Sequence, residues 1–284
     1  MTNNHTLKKI ALITGSSSGI GLEITLSLAR NGYKTYATMR DINKASLLLD
    51  FAIKEGLSIA PLEMDVTNDL EINSIIKNIV DESGRIDVLV NNAGYGLIGY
   101  FEDLQMEEIR KQFETNFFGV LRVTQKIIPI MRNQKYGTIV NISSGAGRVG
   151  FPGISAYVST KFALEGFTES LYYELQPLGI KVIIIEPGVT KTNFFRNSIY
   201  GQRAKSSEST YSKSLAKISN NIDIMHQHAT NPQEVAGVFL EAIRLKEPNL
   251  RYIVGNDIAM ILESKNELSD SEFRRMMMQN INQN

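Results

Sequence analysis

The chain has 284 residues, with 30 Lys+Arg against 30 Asp+Glu and no cysteine. That length suits one large α/β domain or two small ones, and a hydrophobic content of 43% can fill a core, which argues against disorder over most of the chain. A formal net charge of zero disfavours dedicated nucleic-acid binding, which normally needs a basic excess. The lack of thiols excludes disulfides, thiolate catalysis and cysteine-ligated zinc or iron–sulfur centres, and no metal site is expected.

The first nine residues, MTNNHTLKK, are polar, and the apolar run at 10–13 stops at Thr14. A signal peptide needs an apolar stretch of about 7–15 residues and a membrane helix about 20, so a cytoplasmic protein without a membrane span is expected. In chain order, KKIALIT (8–14) reads as a strand leading into a glycine turn. IGLEITLSLARNG (20–32) follows, with apolar residues three and four apart, as on one face of a helix. YKTYATM (33–39) is a second strand, followed by a helix opening near Asp41. LSIAPLEM (57–64) is a third strand, followed by a helix from Thr67 through Val80. RIDVLVN (85–91) is next, then helical stretches around 104–116 and 117–133. GTIVNIS (137–143) is strand, 155–176 helix, IKVIIIEPG (180–188) strand, 232–246 helix, and LRYIVG (250–255) the last strand.

Seven strands that alternate with helices and are apolar on both faces imply a parallel sheet covered on both sides. The fold class expected is α/β: a Rossmann-like doubly wound sandwich, about seven strands with helices on both faces, forming one domain over 1–284. Two segments break the rhythm. Residues 190–231 lack periodicity and follow a strand end directly, which reads as an irregular insertion closing over the substrate. The tail, 257–284, ends in RRMMMQNINQN. Its methionines either dock on a partner or the substrate mouth, or lie in a frayed helix.

Between the first strand and its helix lies Thr14-Gly15-Ser16-Ser17-Ser18-Gly19-Ile20-Gly21. Glycines there let backbone approach a pyrophosphate, and a helix N-terminus offers unpaired N–H groups, so dinucleotide binding is expected. Tyr157 and Lys161 lie four apart in a helical stretch and share a face. A cation near a phenol favours phenolate, which suits a general acid for a carbonyl oxygen. Ser143 and Ser144 end the preceding strand at the sheet's carboxyl edge, where a hydroxyl can donate to the same oxygen.

With TGSSSGIG (14–21), Asp65-Val66, NNAG (91–94), Asn116, NISS (141–144), YVSTK (157–161) and PGVTKT (187–192) in this order and spacing, the chain resembles the short-chain dehydrogenase/reductase family. The resemblance covers roughly 8–192. It implies a tetrad of Asn116, Ser144, Tyr157 and Lys161: Tyr157 as proton donor and acceptor, Lys161 lowering its pKa and meeting the nicotinamide ribose, Ser144 polarising the carbonyl, and Asn116 holding a water that links Lys161 to solvent. It implies cofactor contacts from Gly15, Ser17, Ser18, Gly19, Ile20 and Gly21. Asp65 would meet the adenine amino group, beside Val66. Asn91, Asn92, Ala93 and Gly94 would border the cofactor, Asn91 and Asn92 also steadying the central strands. Pro187, Gly188, Val189, Thr190 and Thr192 would orient the nicotinamide. It also implies a homodimer or homotetramer packed through 117–133 and 155–176.

An acidic residue at the end of strand two would select NAD. Met39 stands there instead, Arg40 follows, and Asp41 reads as an N-cap, so NADP(H) is favoured over NAD(H). His226 and His228 read as solvated loop histidines. The function expected is an NADP(H)-dependent oxidoreductase interconverting a carbonyl and an alcohol. The alternatives are an NAD-dependent alcohol or hydroxysteroid-type dehydrogenase, an epimerase or dehydratase of the extended branch, and a non-catalytic dinucleotide sensor. A sensor predicts loss of Tyr157 or Lys161, and both are present. Segments 95–101, 145–153 and 190–231 are expected to line a pocket for a small, mainly apolar substrate.

Overall fold

Alternate residues along each central strand belong to opposite faces, and both sets are apolar. In the computed structural model, which describes residues 8–283 (backbone only at 219–223 and 280–283), that pattern is satisfied by burying each face under helices. The order is β1 (Ile10–Thr14), α1 (Gly19–Arg30), β2 (Lys34–Met39), a 3₁₀ turn (Ile42–Ala45), α2 (Ser46–Glu55), β3 (Ile59–Glu63), α3 (Asp69–Ser83), β4 (Val88–Asn91) and β5 (Leu97–Ile98). Then come α4 (Met106–Phe113), α5 (Gly119–Gln134), β6 (Gly137–Ile142), α6 (Ser155–Leu175), β7 (Ile180–Pro187), β8 (Ile199–Tyr200), α7 (Ser212–Gln227), α8 (Pro232–Arg244), β9 (Arg251–Val254), α9 (Asn256–Glu267) and α10 (Asp270–Gln283).

Seven strands form one parallel sheet in the order β3-β2-β1-β4-β6-β7-β9. Leu12, Leu89, Ile139 and Val182 pack on one face against Ile72 and Ile79 of α3, Val123 and Ile127 of α5 and Leu171 of α6. Their neighbours Ile13, Val90, Val140 and Ile183 pack on the other against Ile24 and Leu28 of α1 and Val235 and Phe239 of α8. The chain winds outward from β1 to β3, then returns to place β4 on the other side of β1. At that reversal the connections leave in opposite directions, opening a crevice above the carboxyl ends of the strands. The fold is the doubly wound α/β sandwich the alternation implies.

Four local features differ from expectation. The helix near Asp41 begins as a 3₁₀ turn, capped by Asp41 accepting from the Asn43 N–H at 3.1 Å, before α2 starts at Ser46. The stretches 104–116 and 117–133 are one rod, α4 and α5 joined by a π-helical turn over Glu114–Phe118. Residues 190–231 are irregular only in part: amid turns, Ile199 and Tyr200 pair with Leu97 and Ile98, and α7 follows. Serine and asparagine give α7 weak intrinsic propensity, and its seating comes from tertiary contact, with Leu215 buried against Ile98 and Ala204. The tail, for which a frayed helix is one expected alternative, is two packed helices. Ile258 and Leu262 of α9 and Phe273 of α10 close a cluster on Val149, and Met276 and Met277 pack onto it, so those methionines serve this chain's own core.

Candidate active site

The crevice holds a cavity of about 740 Å³, and most of the chemistry-bearing residues converge on it. Its floor is the glycine turn after β1. Gly15 and Gly19 have φ of +70° and +58°, a left-handed backbone that favours glycine. A Cβ on Gly21 would lie 2.3 Å from the Gly15 carbonyl oxygen and 2.4 Å from Asn92 Nδ2, so only glycine lets helix and turn close. Asn92 secures the turn by donating through Nδ2 to the carbonyls of Thr14 (3.0 Å) and Gly15 (2.8 Å). Ser18, the N-cap of α1, makes no side-chain cap bond, so the first-turn N–H groups stay available where the dipole favours an anion. A glycine cradle and an uncapped helix start, with the cations Arg40 and Lys44 on the same cavity wall, fit a nicotinamide dinucleotide.

At the other end, α6 presents Tyr157 and Lys161, both buried. Ser144 accepts from the Ala146 N–H at 3.1 Å, capping a 3₁₀ turn, and its hydroxyl makes a long donation to the Pro187 carbonyl at 3.4 Å. Its hydroxyl lies beside the Tyr157 phenol. Burial pushes that phenol up to about 12, with Ser144 drawing it back slightly. Lys161 Nζ donates to the Ile142 carbonyl at 2.8 Å and sits 5.8 Å from the Tyr157 ring centre. Burial brings this ammonium down to about 8, opposed by Glu165. The expected lowering of the Tyr157 pKa by Lys161 is therefore outweighed here, because desolvation of the phenol dominates and Lys161 turns toward the strand end. Asn116 sits in the π turn, a feature that often marks functional sites. Its Oδ1 accepts from the Tyr95 N–H at 3.0 Å and its Nδ2 donates to the Tyr95 carbonyl at 2.9 Å. The side chain is thus committed to Tyr95, with Nδ2 also 3.4 Å from Thr160 Oγ1.

Comparisons with known proteins identify the family. Residues 9–203 match the family model described as short chain dehydrogenase. The chain is 41% identical over 259 residues to an uncharacterized oxidoreductase, YusZ, of Bacillus subtilis, covering 90% of this chain and 92% of that one. It is 33% identical over 268 residues to the 3-ketodihydrosphingosine reductase of Bacteroides thetaiotaomicron, covering 93% and 94%. A solved short-chain dehydrogenase from Streptomyces avermitilis superposes with a TM-score of 0.81 at 31% identity over 96% of this chain and 95% of that one. The chain belongs to the short-chain dehydrogenases. Like its family it is an oxidoreductase acting between CH–OH and C=O. Two more distant members share the fold at 24% identity. One, from Burkholderia phymatum in complex with NAD, has a TM-score of 0.81 and covers 94% and 95%; the other, metagenomic and in complex with NADP, has a TM-score of 0.70 and covers 88% and 98%.

Within this short-chain dehydrogenase the cavity wall includes Gly15, Ser17, Ser18, Gly19, Ile20, Arg40, Val66, Asn92, Ala93, Gly94, Asn116, Ser144, Tyr157, Lys161, Pro187, Gly188, Val189, Thr190 and Thr192. Three expected contacts lie off it. Gly21 packs behind the turn. Asp65 turns back, its Oδ1 accepting from the Thr67 N–H and hydroxyl, both at 2.8 Å, while Met64 and Val66 line the wall. Asn91 is buried between strands, donating to Thr124 Oγ1 (2.9 Å) and Asn141 Oδ1 (2.8 Å), so it steadies the sheet rather than bordering the cavity. His226 is not a solvated loop residue: it belongs to α7, with Nε2 3.2 Å from the Thr192 carbonyl oxygen. Of 95–101 only Tyr95 reaches the wall, because Leu97 and Ile98 are buried in the small sheet with β8.

Sequence reading also missed residues. Lys44, in the 3₁₀ turn after β2, lines the wall with Arg40. Asp257, Ile258 and Ile261 of α9 line it from the tail. Asp257 Oδ2 accepts from the Val189 N–H at 2.8 Å and so pins the strap after β7, and Ile258 fills the space where Gly145 has no Cβ. No described helix is long and apolar enough to cross a membrane.

Proposed function

We propose that this chain is an NADP(H)-dependent reductase of an apolar ketone or aldehyde, working reversibly with the corresponding alcohol. One observation carries the reading: the Ser144 and Tyr157 hydroxyls share a cavity with the glycine turn, at the end away from Arg40 and Lys44. The bound nicotinamide supplies or accepts the hydride. The chain's residues do the rest. Ser144 O–H and Tyr157 O–H donate to the carbonyl oxygen; as the carbon gains hydride, Tyr157 passes its proton to that oxygen and becomes phenolate, which the neighbouring Lys161 ammonium stabilises. With the phenol at about 12 and the ammonium at about 8, both hold their protons at neutral pH, the state from which carbonyl reduction starts.

Arg40 and Lys44 support the phosphorylated cofactor: Arg40 has no acidic partner among the described ion pairs, and Asp41 offers Lys44 one oxygen at 4.0 Å while the other accepts from Asn43. The side chains of Phe151, Ile154, Phe194, Ile218, Met225 and Ile261 around Tyr157 support an apolar substrate, and Phe194 rests 5.6 Å from the Tyr157 ring. The related Bacteroides protein is, by its name, a ketone reductase. Exposed Phe118, Phe162 and Tyr173 on the α5–α6 side support pairing with a second copy, which sedimentation would read as a dimer or tetramer. The test of function is a fluorescence titration with NADPH and NADH, followed by an absorbance screen of apolar ketones and aldehydes. Tighter NADPH binding and turnover of at least one such carbonyl are expected. Binding of neither cofactor ends the proposal.

A further inference from the structure

A buried ammonium needs an opposite charge nearby, and Lys161 has one that the tetrad does not include. Glu165 lies one helical turn further along α6, on the same face, and is only 5% exposed. Around it the charged groups come from four elements. On α6 are Lys161, Glu169 and the Tyr157 phenol. β7 gives Glu186, which is fully buried; β9 gives Arg251; the loop after β6 gives Arg148. Arg251 binds Glu165 Oε2 at 3.0 Å, Glu169 Oε2 at 2.6 Å and Glu186 Oε1 at 3.4 Å, and Arg148 binds Glu186 Oε1 at 3.2 Å. Those cations use one oxygen of each buried acid. Glu165 Oε1 remains buried without a hydrogen-bond partner, as does Ser143 Oγ, and both lie within 3.2 Å of where a Cβ on Gly147 would sit. The free oxygen of Glu165 therefore lies under the strand end that carries Ser143 and Ser144, beneath the site.

We propose that Glu165 is a positioning residue of the reaction: its buried carboxylate, one helical turn from Lys161 on the same face of α6, is the counter-charge to the Lys161 ammonium. The proposal rests on the role given to Lys161 above. Two directions agree with it. Glu165 raises Lys161 against the effect of burial, and burial followed by the Glu165 charge pushes Glu186 up. Arg251 keeps Glu169 and Glu186 as partners when Glu165 is neutralised, so Glu165→Gln retains shape and most of the ion pairing.

The test reads Lys161 directly, without a substrate. Protein carrying 13C-labelled lysine side chains is titrated by NMR, with Lys161→Met assigning the resonance. The parent midpoint is expected near 8. Loss of a close opposite charge should lower it by roughly one pH unit or more in Glu165→Gln. Glu165→Asp, which withdraws the carboxylate by one methylene, should fall between the two, and it decides the question alone if the glutamine variant does not fold. On a confirmed substrate the alkaline limb of kcat/KM should move with the midpoint, and Glu165→Gln added to Lys161→Met should cost no further rate. A midpoint unchanged in these variants, or rate losses that simply add in the double variant, overturns the proposal. A midpoint that shifts in a protein reducing no carbonyl would instead leave Glu165 in place and count against the proposed reaction.

Discussion

The sharpest test of the cofactor assignment is removal of the two cations at the end of β2. Arg40 and Lys44 both face the cavity near Ser17 and Ser18 and are solvent-exposed. A hydrogen bond to a charged group contributes about 1.5–3 kcal/mol net, roughly 10- to 150-fold in affinity. Arg40 has no acidic partner among the described ion pairs, and its planar fork suits a phosphate, so Arg40→Leu should weaken NADPH by a factor within that range. Lys44 lies 4.0 Å from Asp41, which already neutralises part of its charge, so Lys44→Leu should cost less, up to roughly tenfold. NADH should be nearly indifferent to both. Because the pair is exposed, the NADPH penalty should shrink as salt rises. The assay is Kd by fluorescence and kcat/KM for each cofactor at low and moderate salt. Placing an acid at Met39 is a poorer probe, since Met39 is 3% exposed and packed with Leu22, Leu26 and Leu48, where a carboxylate would be buried. Equal loss with NADPH and NADH, or a parent that prefers NADH, would refute the assignment.

Three further outcomes are expected. Tyr157→Phe should keep Kd for the cofactor and lower kcat by ~10²–10⁴-fold; turnover within a few-fold of the parent would remove Tyr157 as the proton donor. For carbonyl reduction, kcat/KM should be level near neutrality and fall as pH rises through about 8, where the depressed Lys161 loses its charge, while Tyr157, near 12, does not titrate in that window; a profile flat to pH 10 contradicts this. Gly21→Ala drives a methyl group against backbone, at 2.3 Å from the Gly15 carbonyl oxygen, and should cost about 1–3 kcal/mol of stability along with cofactor affinity; calorimetry and the same titration check both, and an unchanged Tm would show that the turn can relax.

The sheet was legible because its order follows from simple physics. Apolar runs such as Val182 to Ile185 can only be buried on both faces, and the glycine turn after β1 marks the helix start that an anion needs. Tyr157 and Lys161 could be paired from spacing alone, since four residues on a helix is a fixed geometry. What spacing could not reveal was which way a polar group turns. Asp65 occupies a motif position, yet Thr67 offers it two donors at 2.8 Å, and it folds back on them. Lys161 donates to the Ile142 carbonyl, and burial of the phenol beside it holds the Tyr157 proton. The helices α7 and α9, and the seating of α10, were illegible for a different reason. Their sequences are polar, with weak periodicity, and each is held by a few contacts to the rest of the fold: Leu215 on Ile98, Ile258 against Gly145, Phe273 against the Val149 cluster.

That division runs through the cavity itself. The end carrying the glycine turn is built from strand ends and the first helix turn, whose positions are fixed by the hydrogen-bonded sheet. The end around Tyr157 is closed by the strap after β7, by α7 and by α9, which locate one another. Asp257 holds Val189, and its carboxylate occupies the space that side chains at Gly188 and Gly255 would need. Gly19 comes against Thr192, whose carbonyl oxygen lies 3.2 Å from His226 on α7. A substitution in α9 therefore acts on both walls, through Asp257 on the strap and through Ile258 on the turn after Ser144. The tail, which carries none of the family's motifs, is part of the cavity wall.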